Sequence, residues 1–416
     1  LGFGILSDRG IIENDATDKY SFKLGLNHKI NDKFSTGVNV TIARLDNQLG
    51  SDLAMQDAFR LSPLMSPWAV DAAGNEKVGT LFFLPGKLTY PDGSWAINKT
   101  STVNPLMEIA NSSQTEKTWQ TVGNIFFQYQ ALKWLSFKTT FAAGVMDTKG
   151  SKAYTAQTNA GVTLNGKNSA TLENSNNFNY TWDNQIDLKH TFNDVHDFSL
   201  LLLQSLYSNE DEFSSLYSNN QPFDVGYHNL GTGKQSTFLL GSSYDKFTMS
   251  SYAVRINYSY KDRYLLTLSD RWDGSSKFAE GRKWGSFPSA ALAWRVIEEG
   301  FMKNQKVVSD LKARVSYGFT GNNKVASYST LNKLEQQTYY DFNGTSANGF
   351  VQGSPSNKDL GWEKMRELNV GLDFGFLNNR ITGSVDVYDR LSTDLLLQQK
   401  TATENGYAKT YPNNIG

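Results

Sequence analysis

The chain has 416 residues with 40 Lys+Arg against 41 Asp+Glu, so its formal charge is −1 and no net field draws it to nucleic acid. It contains no cysteine, which excludes disulfides and thiolate metal sites, and no window approaches the roughly 18 consecutive apolar residues of a membrane-spanning helix. With 20 Tyr, 25 Phe and 9 Trp against 9 Pro, the composition favours sheet; a mean hydropathy of −0.46 is compatible with a barrel that keeps a wet lumen and hydrophilic loops.

Residues 1–19 read as loop. LGFGILSDRG lacks the charged start and apolar core of a signal peptide, and the final YPNNIG is loop-like, so both ends are expected to be cuts through a longer protein. Tyr20, Phe22, Leu24, Leu26 and Ile30 then alternate with polar and small residues. After a turn at Asn31–Lys33, Phe34, Val38, Val40 and Ile42 carry the return strand. A long excursion follows from about Arg44 to Lys117, in which Asp52–Leu61 (DLAMQDAFRL) predicts a short helix and Pro63, Pro67, Pro85 and Pro91 keep the rest irregular. The next hairpin pairs Trp119–Tyr129 with Leu135–Val145. A loop from Met146 to Asn177 leads to Phe178–Phe192 and Phe198–Tyr207, where the LLLL run leaves the facing open. Asn209–Ser250 again reads as loop.

The stretch from Tyr252 to Val296 has the clearest pattern. Tyr252, Val254, Ile256, Tyr258 and Tyr260 share one face of a strand, and Ala253, Arg255, Asn257 and Ser259 share the other. Lys261–Arg263 reverses the chain, Tyr264, Leu266 and Leu268 continue the alternation, and a third strand begins near Phe287. A helical or coiled connector, IEEGFMKNQKVVSDL, precedes Ala313–Phe319. After a loop from Gly321 to Trp362, the last hairpin places Leu368, Val370, Leu372 and Phe374 against Ile381, Val385 and Val387.

These segments predict an all-β, antiparallel transmembrane barrel of about twelve strands, each roughly nine to eleven residues long. One face is apolar, with aromatics near the strand ends, and the other is small, polar or arginine-bearing. Short turns alternate with loops of tens of residues, which puts every long loop at one end, as in outer-membrane barrels with short periplasmic turns and long extracellular loops. A soluble sandwich has no reason to sort its loops by length.

No catalytic constellation is found. His28, His190, His196 and His228 show no H-E-x-x-H spacing, and GTGKQST (Gly231–Thr237) lacks the Ser/Thr after lysine and the strand–helix setting of a phosphate loop. No G-x-S-x-G elbow and no paired acid/base carboxylates stand out. The reading is therefore a non-enzyme without metal or cofactor. Arg255, Arg271, Arg295 and Arg314 fall on the polar face of successive strands and are predicted to face the lumen, either as a basic ladder that contacts anionic plug residues or solute or held in salt bridges along a wet wall. Trp272, Trp284 and Trp294 fit an aromatic belt at the lipid interface. Trp68, Trp95, Tyr339, Tyr340, Phe342 and Trp362 lie in long loops, where lipid does not account for them. They are the candidates for contact with solute or a lid, with loop self-packing as the alternative.

RWDGSSKF (Arg271–Phe278), WGSFPSAALAWRV (Trp284–Val296), SDLKARVSYGFTGNN (Ser309–Asn323) and the long stretch Asp359–Leu397 resemble the barrel of the SusC/RagA-like TonB-dependent outer-membrane transporters. The resemblance implies that residues 1–416 are part of one roughly 22-stranded barrel domain, without its plug domain, TonB box and final strands. It also implies an active importer of oligosaccharides or oligopeptides in a Bacteroidetes-like Gram-negative outer membrane. Such an importer works with a SusD-like surface lipoprotein and the TonB–ExbB–ExbD complex, and admits a dimer of SusC–SusD pairs. A barrel-anchored receptor or adhesin without transport, and a soluble all-β glycan-binding module, are the alternatives.

Overall fold

The computed structural model describes residues 1–61, 63, 65–71, 73, 75–83, 102–400, 402, 404, 406 and 410–416. A single antiparallel sheet dominates. Its strands are β1 (Gly2–Arg9), β2 (Ala16–Lys29), β3 (Phe34–Gln48), β6 (Ser112–Leu132), β7 (Leu135–Tyr154), β8 (Ser169–Phe192), β9 (His196–Asn219), β10 (Leu239–Tyr260), β11 (Tyr264–Ser275), β13 (Ser289–Arg295), β14 (Val308–Asn322), β17 (Glu363–Phe376) and β18 (Ile381–Thr393). They neighbour one another in that order, and the short β12 (Trp284–Ser286) adds to β11, giving 14 strands. The sheet does not close on itself: β1 and β18 are its two ends. This is the wall of a barrel, left open.

Directly paired residues share a face, so the register assigns every side chain to one side of the wall. One continuous row reads Val38, Ile125, Phe141, Trp182 and Leu206 across β3 to β9. On the same face farther along stand Val254 and Leu268, then Leu292, Val315, Val370 and Val387. Many side chains of this face stay solvent-exposed, among them Tyr252 by 49 %, Val370 by 52 % and Val387 by 70 %. Among the described residues no second layer covers them. An apolar surface of this extent is stable only against hydrocarbon. The register also settles the LLLL run, with Leu200 and Leu202 on the apolar face and Leu201 and Leu203 on the polar one.

At one rim the hairpins close tightly. Asn193–Asp194 and Lys261–Asp262 all adopt positive φ, as primed turns require. Between β13 and β14 the connector forms two single 3-10 turns, Val296–Glu298 and Gly300–Met302. At the other rim lie helices α1 (Asp52–Arg60), α2 (Pro105–Asn111) and α3 (Asn159–Thr163), and three small hairpins. These pair β4 (Trp68–Val70) with β5 (Glu76–Leu81), β15 (Leu334–Phe342) with β16 (Thr345–Gln352), and β19 (Leu395–Gln399) with β20 (Tyr411–Ile415). The predicted sorting of loops by length is thus observed.

Three expectations are corrected. Residues 1–19 are not loop, because Gly2–Arg9 pairs with Ala16–Lys23, aligning Phe3 with Phe22 and Ile5 with Tyr20. The segments 146–177 and 209–250 are largely strand: β8 and β9 each run 24 residues, and β10 runs 22. Above the apolar band both faces of a strand meet water, so the two-residue hydrophobic period stops before the strand does. The loop from Gly321 to Trp362 contains the β15–β16 hairpin. The predicted helix at DLAMQDAFRL is α1, capped by Ser51, whose Oγ accepts from Ala54 N–H at 3.3 Å.

Candidate functional site

The four arginines share the polar face. Arg255 pairs with Ser269, two residues from Arg271; Ser269 pairs with Ser289, in line with Arg295; Ala293 of β13 pairs with Arg314. Three are engaged by carbonyl or carboxylate oxygens. Arg271 Nε donates to Asp273 at 2.8 and 2.9 Å. Arg295 donates to Glu298 at 3.1 Å and to the Asp262 carbonyl at 3.2 Å. Arg314 grips Asp373 through Nε at 2.9 Å and a terminal nitrogen at 2.8 Å, and reaches past β17 to Asp386 at 3.2 Å. That reach requires Gly371, since a Cβ there would stand 2.7 Å from the Arg314 guanidinium carbon. Arg255, exposed between Leu201 and Ser269, makes no ion pair among the described residues. Of the four arginines, three are held by neighbouring oxygens and Arg255 alone is without an ion pair among the described residues.

At the long-loop rim a small core holds the connections. Phe278, Phe287, Val325, Leu360 and Trp362 pack together. The Trp362 ring lies 5.0 Å from Phe278 and 5.3 Å from Phe287, and its Nε1 donates to the Lys283 carbonyl at 2.8 Å. At 7 % exposure Trp362 is a packed ring, the self-packing alternative for a loop aromatic. A second knot joins α1, α2 and α3. Asn159 Nδ2 donates to Asp57 at 2.6 Å and to Glu108 at 3.2 Å, and its backbone N–H donates to Glu108 at 2.7 Å. Glu108 is fully buried, and its Oε1 has no partner among the described residues. Burial pushes the Glu108 carboxyl up, the nearby Asp57 charge adds to this, and the bonds from Asn159 oppose it. Sequence reading missed this knot, because its members lie 51 and 102 positions apart and no local motif joins them.

The other aromatic candidates divide. Tyr339, Tyr340 and Phe342 stand on β15, exposed by 66 %, 53 % and 66 %, beside Phe350 of β16 at 60 %. Trp68 opens β4 opposite Leu81 and is half-buried. Trp95 lies outside the described residues. The structure thus groups Tyr339, Tyr340 and Phe342 on one projecting hairpin and puts Trp68 and Trp362 elsewhere in the rim.

The remaining motifs have structural places. Trp272, Trp284 and Trp294 are on the apolar face and half exposed, and Trp284 stacks on Tyr252 at 6.0 Å. Trp294 Nε1 and Tyr264 Oη both donate to Glu299 in the connector, at 3.1 and 2.6 Å, which fixes two belt aromatics at the tight-turn rim. His196 Nδ1 lies 2.7 Å from Tyr258 Oη, and His190 packs edge-on against Phe192. Gly231–Thr237 falls across 3-10 turns, without the strand–helix frame of a phosphate loop.

Comparison with known proteins places these features in context. The family model "TonB dependent receptor-like, beta-barrel" matches residues 67–416. TonB-dependent receptor P26 of Formosa agariphila is 28 % identical over 407 residues, covering 96 % of this chain and 39 % of that protein. TonB-dependent receptor SusC of Bacteroides thetaiotaomicron is 41 % identical over 180 residues, 41 % of this chain and 17 % of that protein. The chain therefore spans well under half the length of these relatives. Among solved structures, the RagAB peptide transporter superposes with a TM-score of 0.77 at 21 % identity, covering 97 % of this chain and 43 % of that one, a likeness of fold.

Proposed function

The chain belongs to the TonB-dependent receptor-like β-barrel family and is a strand-built part of an outer-membrane protein, and from that premise we propose that the whole protein imports oligomeric nutrients. Residues 1–416 form part of its one barrel domain, and the plug, TonB box and closing strands belong to the remainder of the protein. The solute is an oligosaccharide or oligopeptide, captured at the long-loop rim under a SusD-like surface lipoprotein and passed along the polar wall. The TonB–ExbB–ExbD complex supplies the work, because a lumen wide enough for an oligomer must otherwise be sealed. Two such barrel–lid pairs associate as a dimer. The chemistry is binding and passage, with no covalent step.

The observation that carries this reading is the contrast between the rims. Among the described residues, the α-helices and the small hairpins, including one with four exposed aromatics, stand on one side of the apolar band. Flat rings beside Asp341 and Asn348 suit stacking on sugars or docking of a lid. On the wall, Arg255 is the arginine available to a passing or sealing anionic group, while Arg271, Arg295 and Arg314 shape the surface.

Alanine at both Tyr339 and Tyr340 is expected to lower uptake or lid co-purification by about ten-fold while barrel assembly is unchanged. The measurement is growth of the wild-type and variant strains on single defined polymers and peptides, with pull-down of the lipoprotein. Growth and complex yield equal to wild type would remove the hairpin from the site. Growth on every substrate without the gene would favour a receptor or adhesin that does not transport.

A further inference from the structure

On the outward side of the wall, the apolar side chains of β7 and β8 give way to a polar groove toward the long-loop rim. Val145 and Phe178 form one row with Thr121, Glu210 and Lys246, the last two joined as an ion pair at 3.1 Å. Two residues farther on, the row reads Trp119, Asp147, Asn176, Glu212 and Tyr244, and the next reads Lys117, Lys149, Asn174, Ser214 and Ser242. These two rows line a groove of about 720 Å³. Beyond it the 3-10 segment Gly226–Thr232 folds back over the same face, with Gly226 against Ala153 and the Tyr227 ring 5.6 Å from Lys149 Nζ.

Lys117 and Lys149 are the anomaly. They are direct cross-strand partners, both exposed, and neither makes an ion pair among the described residues. Like charges set opposite each other on neighbouring strands repel. The acids close by are engaged elsewhere. Asp46, opposite Lys117, is held by Arg44 at 2.9 Å, Asp147 accepts from Asn176 Nδ2, and Glu210 is held by Lys246. An anion seated between the two ammonium groups removes the repulsion and gains two charge-assisted bonds.

The surroundings of the pair select the kind of anion. Asn174, Asn176 and Glu212 offer amides and a carboxylate to hydroxyl groups, and the exposed Trp119 and Tyr244 rings stand at the two ends of their row. This lining suits a sugar phosphate. Its location selects the source. The groove borders Val145 and Phe178, so a lipid whose chains lie along Phe141 and Trp182 brings its headgroup to the lysines. A free sugar phosphate gains nothing from that apolar margin. We propose that Lys117 and Lys149 bind the phosphorylated sugar headgroup of a glycolipid in the outer leaflet of the membrane. The site goes beyond solute import: it needs only a long-loop rim that faces outward, and it lies on the opposite side of the wall from the four arginines.

The test takes the full-length protein in phosphatidylcholine nanodiscs doped with monophosphoryl lipid A and reads the lipid that stays bound by native mass spectrometry. The double variant Lys117→Gln, Lys149→Gln should retain about ten-fold less of it than wild type. Lys117→Arg, Lys149→Arg keeps both charges and should retain it as wild type does. Wild type should retain the dephosphorylated lipid about ten-fold less than the phosphorylated one. Equal retention of those two forms would overturn the site even if a variant failed to assemble, and so would equal retention by wild type and the glutamine variant. Phosphatidylglycerol held as well as lipid A would show a response to charge alone and overturn the sugar-phosphate assignment. Displacement of the bound lipid by glucosamine phosphate would assign the groove to a soluble ligand instead. Uptake should be unchanged in both variants, since neither lysine faces the lumen, and a protein that imports nothing would leave the lipid readout as it is.

Discussion

The two rims of the sheet are built by different physics. At the tight-turn rim, neighbours in sequence are neighbours in space. Glu299 collects Tyr264, Trp294 and Arg263, all from the adjoining β11 and β13 ends or the turn before them, and stays at the surface of the membrane. At the long-loop rim the contacts close large loops, and carboxyls are buried. Asn159 ties Asp57 to Glu108, and Trp362 reaches the Lys283 carbonyl 79 positions away. The first rim is an anchor set by local rules. The second is a small assembly mounted on a wall, with a core of its own.

The sharpest way to break this contrast is to remove the small core. Trp362→Ala leaves a cavity among Phe278, Phe287 and Leu360 and removes one of the two donors to the Lys283 carbonyl, which keeps the Ser275 N–H. The expected loss is about 3–5 kcal/mol of local stability. Hydrogen exchange should quicken at 276–288 and 353–362, while the apolar-face strands β6 to β10 keep their protection. Equal quickening throughout the wall would mean that rim and wall unfold as one unit and would erase the distinction.

Titration separates the rims by sign. Glu108 holds its proton more tightly folded than unfolded, through burial above all. Its contribution is complete below the usual glutamate range and is lost as pH rises through the raised value. Glu299 is shifted the other way, by the Tyr264 hydroxyl first, then the Trp294 indole and Arg263. What it contributes is present above the usual range and is lost as pH falls through the lowered value. The α1–α2–α3 knot should therefore tighten on acidification while the tight-turn rim loosens. Glu108→Gln leaves no charge to bury and should flatten the loop's pH response, adding about 1–3 kcal/mol of protection at neutral pH. Exchange at Asp52–Arg60 and Asn159–Thr163, followed across pH, checks this. A wild-type knot most protected at alkaline pH would contradict it.

These differences also explain what the sequence makes legible. Where one face meets lipid and the other water, alternation is enforced, and all twelve expected strands are present, with Tyr252, Leu368, Val370 and Leu372 exposed on the apolar face. Local turn chemistry at Asn193–Asp194 and Lys261–Asp262 places the hairpins. Once a strand rises past the apolar band, the enforcement ends. Phe213 and Leu216 sit in β9 among Ser, Glu and Asp with no period to announce them. Arg314 could be put on the polar face from sequence, but its partners Asp373 and Asp386 depend on register, and its access to Asp386 depends on Gly371. The aromatics of the loops were indistinguishable by composition. Only packing separates Trp362, a core ring, from Tyr340, which stands in water.

The smallest effect tests the anchor. Glu299→Gln keeps an oxygen to accept from the Tyr264 hydroxyl or the Trp294 indole but loses the charge that faces Arg263 at 3.4 Å. Both aromatics lie on the apolar face at the membrane border, where rings are held chiefly by the interface itself. The substitution should leave assembly and uptake unchanged and remove only the acid-side loosening of this rim, seen as a pH-independent Trp294 signal in a variant lacking the other tryptophans. Loss of barrel assembly would show that the connector between β13 and β14 organises the wall, which would make the two rims alike in kind.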